Sequence, residues 1–161
     1  MLKIAFSDQY LYKLPEGHRF PIAKYELLKA QLLYDGSIDE IQLVDPGIVD
    51  EDHILKVHTL EYWNHLKSCT LGPKEIRKIG LPINEKSVLR SRNTVAGTIL
   101  ASLQALSLGI GFNIGGGTHH AYPSWGEGFC ILNDIAIASR YLLDKGLAKK
   151  ILVVDLDVHQ G

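Results

Sequence analysis

The chain has few cysteines, no long hydrophobic run and almost no net charge. Its two cysteines, Cys69 and Cys130, are far apart and form no Cys-x-x-Cys pair, which argues against a disulfide scaffold and makes neither a candidate zinc ligand. No apolar segment approaches the ~20 residues that span a bilayer, and residues 1–7 have the wrong length and flanks for a signal peptide. A net charge of −1 favours neither nucleic acid nor an anionic membrane as a partner. We therefore expect a cytoplasmic protein.

What is present is an alternation of apolar strand patterns with helical patterns. A length of 161 residues, 46% hydrophobic and 22% charged, fits one domain over residues 1–161. Strands are predicted at 2–7, 38–44, 110–114 and 151–161, and helices at 21–36, twice within 50–68, at 87–108 and at 133–145, with a loop at 72–82. Such alternation is typical of an α/β fold with a parallel sheet and crossover helices.

The last predicted strand carries the most unusual pattern in the sequence. Asp155, Asp157 and His159 alternate with apolar residues, so in an extended chain all three point to the same face. Burying two carboxylates and an imidazole is costly unless something compensates them, and a bound metal ion is the compensation we favour. The alternative is a strand end where the aspartates cap loops or helix N-termini.

A second motif, Gly-Gly-Gly-Thr-His-His at residues 115–120, follows a predicted strand directly. Open α/β sheets bind ligands at the carboxyl ends of their strands, and glycines let the backbone approach a ligand closely. Two adjacent histidines, His119 and His120, are well suited to proton transfer there, because an imidazole can both take and give protons. A phosphate cradle is disfavoured because neither G-x-G-x-x-G nor a Walker A lysine is present, whereas an ordinary surface loop stays open as an alternative.

Taken together, these motifs resemble a known family. Residues 115–161 carry His-His, then Gly128-Phe-Cys, then Asp-x-Asp-x-His, in the order and spacing of the histone deacetylase core. Residues 14–21, Leu-Pro-Glu-Gly-His-Arg-Phe-Pro, are similar to class IV-like and bacterial acetoin-utilisation-type members. The resemblance implies a three-layer α/β/α fold with a mainly parallel sheet, of the arginase/deacetylase type. It also implies zinc-dependent hydrolysis of acylated lysine or polyamine-type amides.

The resemblance assigns a role to each matching residue. Asp157 and His159 match two of three zinc ligands, with Fe²⁺ as an alternative metal. His119 and His120 match the histidine dyad that contacts the attacking water and shuttles protons. Asp155 matches the carboxylate that orients the first of these histidines and contributes to a structural K⁺ site.

Three further residues match the substrate channel and the cavity behind the metal. Gly128 and Phe129 match the wall of a narrow acyl-lysine channel, where the ring packs along the methylenes of the substrate. Arg19 matches an arginine of the internal cavity behind the metal, where it would serve acetate release.

The sequence also departs from the best-known members. Thr118 stands where many carry Trp, and the rim aspartate that clamps the substrate backbone is not evident around residues 80–82. Both departures fit class IV-like relatives, for which longer acyl groups or other amides are possible substrates.

In the family the third metal ligand, an Asp, and the oxyanion-stabilising Tyr follow residue 161. We therefore expect an N-terminal portion, with an exposed sheet edge that invites self-association.

Three functions remain open at this point. The first is a metal-dependent deacetylase represented by its N-terminal part. The second is a truncated, non-catalytic chain that binds acyl-lysine or a partner. The third is an arginase-like hydrolase with two manganese ions, which would require further aspartate-rich motifs and has no use for the Gly-Phe-Cys segment.

Overall fold

The sheet has three parallel strands with the first strand in the centre. The computed structural model describes residues 1–159 and places β1 (Ile4–Ala5) between β2 (Leu43–Val44) and β3 (Phe112–Asn113). The first residue of β1 lies opposite the first residue of each neighbour. Parallel neighbours need crossover connections, and helices supply them here. The predicted α/β class with a parallel sheet is confirmed.

Six α-helices accompany this sheet in the described residues. They are α1 (Lys24–Tyr34), α2 (Glu51–Ile54), α3 (Leu60–Lys67), α4 (Pro73–Ile79), α5 (Glu85–Leu108) and α6 (Asp134–Asp144). Short 3-10 turns cover Asp8–Tyr10 and Glu40–Gln42. Within this part of the chain, a membrane-crossing helix, which must be both long and strongly apolar, is not found.

The long helix α5 begins and ends where capping residues predict. The side chain of Asn84 accepts a hydrogen bond from the backbone N–H of Ser87, and Gly109 ends the helix in the left-handed region at φ 82°. Buried residues of α5, among them Val95 and Ile99, form a hydrophobic core with α3, with α6 and with the segment that leads into α6. The predictions of α5 and α6 are confirmed to within two residues.

The loop predicted at 72–82 is wrong for most of its length, because helix α4 occupies Pro73–Ile79. Pro73 occupies the first turn, where its missing N–H costs nothing and its fixed φ favours the helix. The Glu75 carboxylate accepts the backbone N–H of Gly72, and Gly80 ends the helix at φ 77°. Proline and glycine, taken as loop markers in the sequence, are here the start and stop signals of a short helix.

The predicted final strand is also wrong in the described residues. Residues 151–157 belong to no strand, and Leu152 and Leu156 are 85% and 91% exposed. A strand needs a neighbour whose backbone groups pair with its own, and this segment has none within residues 1–159. Gln160 and Gly161, the last residues of the predicted strand, lie outside the described part. The strand predicted at 38–44 is likewise shortened to β2, since a 3-10 turn precedes it.

Candidate functional site

A cavity of about 560 Å³ opens at the carboxyl end of the sheet. Four segments of the chain meet in its wall: the loop 116–120, the turn 128–130, the start of α1 and residues 153–159. Loops that follow parallel strands converge on this edge, which is where α/β proteins bind ligands. The structure therefore brings both sequence motifs to one cavity.

His119 and Asp155 are in direct contact in this cavity. The Nδ1 atom of His119 lies 2.9 Å from a carboxylate oxygen of Asp155. The ring of His120 stands perpendicular to that of His119, with the ring centroids 4.1 Å apart. Because Nδ1 of His119 is held by the carboxylate, its Nε2 is the nitrogen left for chemistry.

Asp157 lies close enough to both histidines for the three residues to share one ion. The possible ligand atoms of His119, His120 and Asp157 all lie within 4.8 Å of one another. His159 is bound to Asp157 instead, with its backbone N–H 3.0 Å and its Nδ1 3.1 Å from the same carboxylate oxygen. The backbone N–H of His159, followed by its ring, lowers the pKa of the Asp157 carboxyl, which favours the anionic form that a metal ligand needs.

The Gly128-Phe129 turn sits directly beside His120. Gly128 has φ 55°, and a Cβ there would lie 3.0 Å from the His120 ring, so both conformation and space require glycine. Phe129 also has a positive φ, 67°, which is rare for a bulky residue. Its backbone N–H donates to the carbonyl of Ile79 at 2.7 Å, so the end of α4 holds this turn in place.

The role predicted for Arg19, in an internal cavity behind the metal, stays a prediction. The exposed Arg19 guanidinium lies over the Phe129 ring, 5.0 Å from the ring centroid, and is not part of the cavity wall. The cations that do line the cavity are Lys24 and Arg90. Arg19 precedes α1 on a loop, whereas Lys24 is the first residue of the helix itself.

Arg90 is held rigidly in the cavity wall. It is 2% exposed, and it donates from Nε to the carbonyl of Tyr10 at 3.0 Å and from Nη2 to the Tyr25 hydroxyl at 2.7 Å. Burial, and next the Arg90 charge, lower the pKa of Lys24. The sequence offered no motif for either cation, since both lie on helices that the prediction treated as core elements.

Cys130 follows the turn but does not provide a reactive thiol. It is buried, and burial raises its pKa to about 11. A thiol that stays protonated at neutral pH is neither a nucleophile nor a metal ligand.

Two residues at the start of α6 were also missed as parts of the site. Asn133 donates from Nδ2 to the carbonyls of His119 at 3.3 Å and Ala121 at 3.0 Å. Asp134 accepts hydrogen bonds from the loop 116–118. The sequence predicted only the start of a helix at this point, and which loop the first residues of that helix hold depends on tertiary packing.

A buried histidine connects this region to the segment between α2 and α3. His58 is 3% exposed, with Nδ1 3.0 Å from the Tyr122 carbonyl and Nε2 accepting the backbone N–H of Asn133 at 3.0 Å. A carbonyl only accepts, so the bonding pattern places the proton on Nδ1 and leaves the ring neutral. Burial lowers the pKa of His58.

Acidification is expected to destabilise the fold through His58. The folded pKa is lowered, whereas an unfolded histidine titrates near ~6.5, so the unfolded chain binds this proton more readily. The stability contributed by neutral His58 is fully present above that pH and is lost as the pH falls, at up to about 1.4 kcal/mol per pH unit. Urea unfolding followed by circular dichroism from roughly pH 7.5 to roughly pH 5.5 measures this slope.

The control is a pair of identical substitutions at two histidines. His58→Gln removes the titrating group and is expected to flatten the acid dependence of the unfolding free energy, even if it costs stability at neutral pH. His65→Gln, at an exposed residue of α3, is expected to leave the dependence as in the parent chain. An unchanged acid slope in His58→Gln would assign the effect to another group.

Comparisons with known proteins agree with this geometry. The family model described as "Histone deacetylase domain" matches residues 18–161. An uncharacterised protein of Picosynechococcus is 46% identical over 158 residues, which is 98% of this chain and 53% of that protein. The acetoin utilization protein AcuC of Staphylococcus aureus is 32% identical over 167 residues, covering 97% of this chain and 43% of AcuC.

A solved structure shows the same fold. The crystal structure of an HDAC homolog from Aquifex aeolicus superposes with a TM-score of 0.69 at 26% identity, over 90% of this chain and 41% of that one. The chain thus spans about half the length of the curated relatives it matches. Because the family model covers nearly the whole sequence, including both histidine motifs, the chain belongs to the histone deacetylase family.

Proposed function

We propose that this chain forms the N-terminal part of a zinc-dependent hydrolase that removes acetyl or other acyl groups from lysine-type amides. Family membership supports a deacetylase-type hydrolase. The observation that carries the finer proposal is the convergence of His119, His120 and Asp157 on one cavity, with Asp155 bound to His119. A proton-transfer group and a candidate metal ligand thereby face the same space.

The donor atoms present fit zinc. Asp157 supplies an anionic carboxylate and His159 an imidazole, the nitrogen and oxygen ligands that Zn²⁺ accepts, and Fe²⁺ accepts the same set. In the family pattern a third ligand and an oxyanion-stabilising tyrosine follow residue 161. We assign those two roles to the part of a full-length relative that this chain does not cover.

In this proposal, residues of this chain carry out the proton transfers of the reaction. A bound metal would make water more acidic and polarise the amide carbonyl. His119, with Nδ1 fixed by Asp155, presents Nε2 as the base that takes a proton from the attacking water. The histidine pair then delivers a proton to the departing amine, which balances the proton that His119 took from the water. Asp155 sets the tautomer of His119, as a carboxylate beside a catalytic histidine usually does.

The channel wall supports an acylated amine with a methylene chain as the substrate. The Phe129 ring offers an apolar face, and Gly128 leaves the space beside His120 free of a side chain. Methylene groups gain by packing on such a surface, at roughly 25 cal/mol per Å². Acyl-lysine and acylpolyamine both present a chain of this kind.

The proposal is tested by an activity assay on two forms of the protein. One is this chain, and the other, the extended chain, carries in addition the remaining half of the Picosynechococcus relative at its C-terminus. Fluorogenic peptides with acetyl, butyryl or longer acyl groups on lysine, and acetylated polyamines, are offered with zinc and with a chelator. We expect zinc-dependent hydrolysis by the extended chain.

The result for this chain alone separates the two leading functions. Turnover by the extended chain, with saturable binding but no turnover by residues 1–161, identifies an enzyme whose site is completed by further residues. No hydrolysis of any acylated amine by a folded, zinc-loaded extended chain would overturn the proposal and favour a binding function. Two metal ions per extended chain would favour the arginase-like alternative.

A further inference from the structure

Asp134 is a fully buried carboxylate with an unusual set of partners. It is 0% exposed at the first position of α6, and it accepts the backbone N–H groups of Gly117 at 3.1 Å and Thr118 at 2.7 Å. The Thr118 hydroxyl lies 2.6 Å from the same carboxylate, and the Thr98 hydroxyl of α5 also donates to it. Two backbone amides and two hydroxyls thus satisfy a group whose burial would otherwise be costly.

The glycine loop is shaped to fit this carboxylate. A Cβ on Gly116 would lie 2.9 Å from a carboxylate oxygen of Asp134 and 2.9 Å from the Thr98 hydroxyl. Gly117 has φ 89°, which L side chains rarely adopt. Both glycines are therefore needed for the backbone to reach Asp134, and the loop has no freedom to move toward α6.

The histidine pair follows this anchored point without a spacer. Thr118 immediately precedes His119, and Asn133 holds the carbonyls of His119 and Ala121 from the other side. The backbone of the pair is thus fixed between two adjacent residues of one helix start. The ring of His119 then reaches Asp155 at 2.9 Å from this fixed backbone.

From these contacts we infer that Asp134 is a positioning residue that sets the orientation of His119 and His120 through Thr118. The expected effect on catalysis rests on the proposed function. The expected effect on the orientation of the two histidines does not depend on it. It also accounts for Thr118, where many members carry Trp. A hydroxyl at this position lies 2.6 Å from the Asp134 carboxylate and 2.6 Å from the carbonyl oxygen of Leu132, and it can donate its single hydrogen to either acceptor, which a Trp side chain does not do.

Charge as well as shape matters in this arrangement. The start of a helix carries a partial positive charge, which stabilises a carboxylate at the first position of α6. Hydrogen bonds from amides to a carboxylate are stronger than those to a neutral amide. Asp134→Asn keeps the size of the side chain but removes its charge, and it places an NH₂ group where an acceptor is needed. The loop should then move away, and His119 should lose its alignment with Asp155.

The first test uses this chain as it stands and needs no activity. Histidine ring resonances are recorded by long-range ¹H–¹⁵N NMR in the parent, in Asp134→Asn and in Asp144→Asn, an exposed aspartate at the other end of the same helix. We expect Asp134→Asn to change the tautomer pattern of His119 and to broaden the rings of His119 and His120. The Asp144→Asn spectrum should match that of the parent.

A pair of milder substitutions keeps the test decisive if Asp134→Asn unfolds the chain. Thr118→Ser retains the hydroxyl and should keep the histidine spectrum, whereas Thr118→Val removes it and should reproduce the effect of Asp134→Asn in part. Unchanged histidine ring resonances in folded Asp134→Asn, or in Thr118→Val, would overturn the inference.

The second test measures catalysis in the extended chain. Misplacing a catalytic group by about 1 Å lowers a rate by up to about 100-fold, so we expect Asp134→Asn to lower kcat by 10- to 100-fold with KM nearly unchanged. A purely structural role would instead lower the folded fraction and leave kcat per folded molecule intact, which would contradict the inference. If the parent extended chain has no activity, the proposed function fails while the NMR result still decides on Asp134.

Discussion

Replacing His119 by alanine in the extended chain is expected to lower kcat for acyl-lysine hydrolysis by on the order of 1000-fold, within the range typical of general acid–base groups. The reason is geometric, because the His119 ring is held by the Asp155 carboxylate and lies beside Asp157 in the cavity. In the proposed function the channel wall binds the substrate, so KM should change little. Steady-state kinetics with a fluorogenic substrate measure kcat and KM separately.

The matched control is a histidine outside the cavity. His65 lies exposed on α3 and contacts Thr70, so His65→Ala should retain the parent rate. Asp155→Asn should fall between the two, since an amide no longer fixes the proton on Nδ1 of His119. Normal turnover by folded His119→Ala would remove the histidine dyad from the proposed function.

The sequence predicted the fold class correctly but not the conformation of the last segment, and the pairing of the strands explains the difference. Alternating strand and helix patterns predicted the parallel sheet, and the apolar spacing of residues 87–108, followed by Gly109, placed α5 to within two residues. Periodicity indicates the secondary structure that a segment forms when its backbone groups can hydrogen-bond to a neighbouring strand. Residues 151–157 have the strand pattern without a neighbouring strand in the described residues, so tertiary context overrides the local preference.

The candidate site was predictable to the extent that its residues form local motifs. His119, Asp155 and Asp157 belong to short patterns with fixed spacing, and the structure brings all three into one cavity. Arg90 and Asp134 form no motif with the residues they contact, which lie up to 80 residues away in the case of Arg90 and Tyr10. Contacts of this kind depend on how helices pack, and sequence spacing does not encode them. Arg19 is not among the residues that line the cavity, and its role stays a prediction that rests on resemblance.

Zinc binding by the chain itself provides the second large expected effect. Resemblance predicts Asp157 and His159 as ligands, whereas the structure gathers Asp157 with His119 and His120 and leaves His159 outside that group. Asp157 belongs to both arrangements. We therefore expect Asp157→Ala to weaken Zn²⁺ binding by at least about 100-fold, the upper range seen for residues that only support a ligand. Competition with a chromophoric chelator at neutral pH measures the affinity.

The histidines then distinguish the two arrangements. If Asp157 and His159 are the ligands, His159→Ala should weaken binding nearly as much as Asp157→Ala, while His120→Ala should weaken it far less, because His120 would then donate no ligand atom to the metal. This is the result we expect, since a histidine that binds the metal is not free to transfer protons. The reverse result, a large loss in His120→Ala and none in His159→Ala, would make the histidine pair ligands. Such a site would lack the free base on which the proposed hydrolysis depends.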